Sequence, residues 1–145
     1  GADMGNAVFV AAMLELPTMA FFSKMSEKIN CGTLIKFSIL MFCVKHALTY
    51  FATNMIMIYL AQVCQMFAYA LFIPASVYYV NEKIALADRV KGQSLVTTSM
   101  TLSGVFANFA GGIMLDALGV GHVLLAGIIL SIVGAVIVIL TTEKV

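Results

Sequence analysis

Five stretches of almost unbroken apolar residues run along the 145-residue chain, at about 5–23, 33–53, 55–80, 93–115 and 123–142. A helix needs about 20 mostly apolar residues to cross the hydrocarbon core of a bilayer, and each stretch is that long or nearly so. Strands of a membrane barrel alternate apolar and polar positions over about ten residues, whereas these runs are continuous. The pattern predicts an all-α integral membrane protein of five transmembrane helices. Only Thr53-Asn54 separates the second run from the third, so a tight hairpin is expected there.

Composition points the same way. Hydrophobic residues make up 62% of the chain and charged residues 10%, with a mean hydropathy of +1.05; a soluble domain carries about 25% charged residues. No polar block is long enough for a separate domain, so residues 1–145 are expected to form one membrane bundle. A net charge of +1 without a basic patch argues against nucleic acid as a partner. Cys31, Cys43 and Cys64 form no CxxC and no Cys/His cluster of metal spacing, so they suggest neither disulfides nor a metal site and act as small apolar fillers. No cofactor is implied.

Charge placement sets the expected topology. Lys24, Lys28 and Lys36 flank the first loop, Lys83, Arg89 and Lys91 lie in the third, and Lys144 follows the last run. The segments around Asn54 and from Asp116 to His122 hold no lysine or arginine. The excess of basic residues on cytoplasmic loops therefore places loops 24–32 and 81–92 and the C-terminus in the cytoplasm. The chain opens Gly1-Ala2-Asp3-Met4 on the outer side, and an upstream helix entering from the cytoplasm is expected to precede it.

Two ionisable residues interrupt the apolar runs: Glu15 in the first and Lys45 in the second. At 1.5 Å rise per residue they sit roughly 15 Å and 12 Å from the outer ends of their runs, near the middle of a core about 30 Å thick. Charges at that depth usually pair and mark a path for substrate, ion or proton. Glu15 is expected to bind substrate or a proton and to respond to Lys45; a structural ion pair, or a lysine reaching out to the interface, is the plainer alternative. In the third run, Tyr59, Gln62, Gln65, Tyr69 and Ser76 fall within one sector. Such a stripe lines a cavity or bonds neighbouring helices.

Thr97, Thr101, Gly104 and Asn108 share a face of the fourth run, beside a ridge of Ser103, Ala107 and Gly111. Gly127, Ser131 and Ala135 form a second ridge in the last run. Ridges of small residues are expected to pack closely. Pro17 and Pro74 are expected to bend the first and third runs. His46 points about 100° away from Lys45 on a helix, so no shared site is expected. The absence of HExxH, GxSxG and a phosphate-binding loop argues against an enzyme.

These residues resemble a known family. Ser23-Lys-Met-Ser-Glu27-Lys28-Ile-Asn30 looks like a degenerate second copy of the loop signature GxxxD(R/K)xG of the major facilitator superfamily. Gly112-Ile-Met-Leu-Asp116-Ala-Leu-Gly119 is similar to the segment leaving helix eleven, and Asp88-Arg89 with Gly92-Gln93-Ser94 to the loop before it. The order resembles helices eight to twelve of the twelve-helix bundle, closest to the proton symporters related to the lactose, phenylpropionate and nucleoside permeases. The likeness implies that Glu15 is a substrate-binding carboxylate and that Lys45 stands where the lactose permease has a proton-coupling arginine. Gln65 and Ala68 stand where it has a histidine and a glutamate.

The expected function is proton-coupled symport of a small polar or aromatic solute by alternating access, in the cytoplasmic (inner) cell membrane, completed by an N-terminal half. Glu15, Lys45, Gln62, Gln65, Tyr69 and Asn108 are the expected substrate or proton contacts. The alternative is a non-transporting receptor or assembly subunit that recruits a partner helix through Glu15 and Lys45.

Overall fold

The computed structural model describes residues 24–143 continuously, preceded by Gly5, Phe9, Met13, Pro17 and residues 20–22. Each described position from Gly5 to Ser26 is helical, but most of the first expected span lies outside the described residues. Four long helices follow: α1 (Cys31–Tyr50), α2 (Met55–Lys83), α3 (Arg89–Leu118) and α4 (Val120–Thr141). Each is long and apolar enough to cross a membrane. No strand occurs among the described residues.

The hairpin expected at Thr53-Asn54 is present and slightly longer. α1 closes with the Phe51 N–H donating to the Ala47 carbonyl at 3.0 Å. Asn54 caps α2, its side-chain oxygen accepting from the Met57 N–H at 3.0 Å, which satisfies one of the donors left over in a first helical turn.

The other two loops are shorter than expected. Loop 81–92 contracts to Ile84–Asp88, mostly the single 3-10 turn Leu86–Asp88, and loop 116–122 contracts to Gly119 alone. Hydropathy marks where the hydrocarbon ends, not where the helical hydrogen bonds end. The 29 residues of α2 and the 30 of α3 therefore exceed the about 20 residues that span the core, and their polar ends continue into the interface. α2 also runs unbroken through Pro74.

The tightest seam joins α1 to α2. Ser38 and Ala68 are both fully buried, and the Ser38 hydroxyl donates to the Ala68 carbonyl at 2.7 Å. Ala61 and Ala75, each seven residues from Ala68, are buried too; small residues let two backbones approach closely in a membrane. Edge-to-face pairs Phe37–Phe67 and Phe42–Phe72 flank the seam, each with centroids 6.4 Å apart. The buried cluster of Phe22, Leu34, Ile35, Leu71 and Ala75, with Val138 of α4 against it, lies toward one end of the bundle. The ridge of the fifth run contributes buried Ala135 and sets Gly127 close to His46, whereas α3, which carries the ridge of the fourth run, buries no residue at all.

Three segments expected on one side of the membrane do gather at that end. Lys83 forms an ion pair with Glu143, and the Glu143 N–H donates to the Tyr79 hydroxyl oxygen at 3.3 Å. Gly32, in the first turn of α1, lies against the Glu143 carbonyl so closely that a Cβ would overlap it.

Candidate functional site

Lys45 sits five residues before the end of α1 at Tyr50, and Gln65 ten residues into α2 from Met55. At 1.5 Å per residue the two positions are about 8 Å and 15 Å from the ends joined by the hairpin. Helical side chains lean toward the N-terminus of their own helix. On antiparallel helices, Lys45 therefore leans inward from the hairpin and Gln65 leans back toward it, which closes the offset. The Lys45 amine donates to the Gln65 side-chain oxygen, with both residues half-buried. Thr49 stiffens the same turn, its hydroxyl donating to the Lys45 carbonyl at 2.9 Å.

This contact turns the lysine into the bundle and away from the interface. A lysine amine desolvated at a helix seam needs acceptors, and the Gln65 amide supplies one. Glu15 lies outside the described residues, and so does its expected pairing with Lys45.

The other expected contacts are dispersed. Gln62 is half-buried, and Tyr69, with 40% of its surface exposed, stands at the rim of α2. The Ser76 hydroxyl donates to the Ile73 carbonyl at 2.7 Å, within its own helix. Asn108 is exposed on α3 and donates to the Gly104 carbonyl at 2.8 Å, within its own helix. The structure thus brings Lys45 and Gln65 together and leaves Tyr69 and Asn108 on open faces.

His46 faces elsewhere, as its position one residue after Lys45 requires. Its ring packs toward α4, where a Cβ on Gly127 would stand 3.3 Å from the imidazole Cδ2. Sequence reasoning missed the part that Ser38 plays beneath Lys45. The available signal was the seven-residue spacing of Cys31, Ser38 and Lys45, which keeps them on one face of a helix.

The four long helices are each apolar enough to span a bilayer, and comparison with known families names the family they belong to. The Major Facilitator Superfamily model matches residues 1–145, the full length of the chain. The chain belongs to that superfamily. It is accordingly a multi-pass transmembrane transporter protein with an all-α fold. No curated protein and no solved structure matches it significantly. The half-buried Lys45–Gln65 contact is a polar link at the α1–α2 seam of this major facilitator. No group of histidine, cysteine and carboxylate side chains suited to a metal occurs among the described residues.

Proposed function

We propose that this chain is the C-terminal half of a proton-coupled symporter for a small polar or aromatic solute, of the group related to the lactose, phenylpropionate and nucleoside permeases. The contact that carries the reading is the Lys45 amine on the Gln65 amide. The Gln65 amide holds the Lys45 cation inside the bundle, where a charge marks a path for solute, ion or proton. Glu15 supplies the acid that binds solute or proton, and Lys45 responds to it. Gln62, Gln65, Tyr69 and Asn108 offer polar contacts along the path. This half then rocks against an N-terminal half around a midplane site, in the inner cell membrane, with loops 24–32 and 81–92 and the C-terminus in the cytoplasm. The reading as a receptor or assembly subunit is weaker, because Lys45 already has a partner within the chain.

The test is uptake by the complete transporter in proteoliposomes, with internal pH followed by a dye. Glu15→Gln should abolish solute-driven proton entry, and Lys45→Gln should shift its pH dependence. Uptake and proton entry unchanged in Glu15→Gln would refute the assignment.

A further inference from the structure

About a quarter-turn around α1 from Lys45, a cleft of about 870 Å³ opens between α1, α3 and α4. That volume lies within the range of about 300 to 1,000 Å³ found for small-molecule sites. Phe42, Phe106 and Leu130 supply apolar walls, and His46, Ser103 and Ser131 supply the polar atoms.

The hydrogen bonds these three groups already make determine what they can still offer. The Nδ1 of His46 is 2.8 Å from the Phe42 carbonyl oxygen, an atom that only accepts. Nδ1 therefore carries the hydrogen, and the tautomer this bond selects presents a lone pair at Nε2. The Ser103 hydroxyl donates to the Ser99 carbonyl at 2.7 Å, and the Ser131 hydroxyl donates to the Ile128 carbonyl at 2.8 Å. Each serine has spent its only hydrogen and keeps oxygen lone pairs. All three polar groups of an apolar cleft are thus acceptors.

A lipid acyl chain brings no donor to such a surface. A helix backbone brings none either, since its N–H groups are consumed in its own ladder. An apolar ring bearing a hydroxyl brings both the surface and the donor, and the rings of Phe42 and Phe106 give it aromatic faces to pack on. We propose that this cleft is a binding site for hydroxylated apolar rings of the phenol or alicyclic alcohol class, anchored by an O–H donated to His46 Nε2. The site is independent of the solute path assigned to Lys45, which lies about 100° around the helix from His46.

The test uses the complete transporter in lipid vesicles, with 1-naphthol as the probe and 1-methoxynaphthalene as the same ring with its donor capped. Protein-free vesicles correct for partition into lipid. Exciting the naphthalene on the red edge of its absorption, beyond the indole band, keeps any tryptophan fluorescence of the complete transporter out of the signal. One net hydrogen bond predicts naphthol binding about 2- to 12-fold tighter than the methoxy compound. His46→Phe keeps the ring and removes the acceptor, and should bring the two affinities together. Gly134→Leu projects into space with no atom within 4 Å of the new Cβ, and should abolish saturable binding of both probes. Equal affinities in the unmodified protein overturn the proposal, as does naphthol binding that survives Gly134→Leu. The absence of saturable binding by either probe also overturns it, and would mean that chain or lipid covers the cleft.

Discussion

A single residue, Gly119, joins α3 to α4, and replacing it should be costly for a purely conformational reason. Its φ of +81° and ψ of 173° fall in a region that is essentially closed to residues with a Cβ. No atom lies within 4 Å of a Cβ built there, so crowding contributes nothing and the backbone carries the whole penalty. Gly119→Ala should therefore destabilise the fold by about 1–3 kcal/mol. Gly121 provides a matched control two residues away. It lies in the first turn of α4, and its surroundings are equally open. Alanine there should stabilise by about 0.5–1 kcal/mol, because it restricts the unfolded chain and suits a helix. The two variants should differ by about 1.5–4 kcal/mol, or roughly 5–15 °C in Tm for a chain of this size. Thermal unfolding in detergent, followed with a thiol-reactive dye, reads this as the rise above the baseline set by half-buried Cys43 and Cys64, since Cys31 is buried until the bundle opens. Shifts of the same sign and size for both variants would refute the reasoning, because they would mean that Gly119 does not hold the left-handed turn.

Three further outcomes follow from the same structure. Ser38→Ala removes the buried hydroxyl that donates to Ala68 and should cost about 0.6 kcal/mol, up to roughly 1.7, seen as a lower Tm in the same dye assay. Gln65→Leu removes an acceptor from the Lys45 amine; hydrogen bonds to charged groups contribute about 1.5–3 kcal/mol to stability, so Tm should fall by several degrees in the same assay. The Lys83 ammonium hydrogen-bonds and attracts the Glu143 carboxylate, which holds that carboxyl below its usual range. A depressed folded-state value means that the stabilisation is present above the ordinary carboxylate range and is lost as pH falls through the folded-state value. Tm curves of the unmodified protein and Glu143→Gln should therefore differ slightly at neutral pH, converge on acidification, and draw together in high salt.

Much of the helical architecture was legible before any coordinates. The runs at 33–53, 55–80, 93–115 and 123–142 each correspond to one helix, and the Thr53-Asn54 break corresponds to a hairpin with an asparagine cap. The shortened loops were not legible, because residues such as Asn81, Glu82 and Arg89 lower hydropathy without interrupting a helix. The site was legible only in part. Lys45 and Gln65 stood out as polar residues among apolar ones, but their pairing depends on how far one helix is offset along the other. The small-residue ridges divided: Ser103 and Ala107 of the fourth run line an open cleft, whereas in the last run Ala135 is buried and Gly127 lies close to His46.

By itself the sequence determined that this protein lives in a membrane as a bundle of helices, since the transfer of a 20-residue apolar run into lipid depends on composition and length alone. It also determined that Lys45 and His46 look in different directions, since the turn between adjacent helical residues is constant. Only the tertiary structure decided which helix each of them meets. Rotation, offset and spacing between helices are settled by many weak contacts acting together, and no local pattern of residues encodes that sum. The inward reach of Lys45 to Gln65 and the cleft of acceptors around His46 are both consequences of that collective choice.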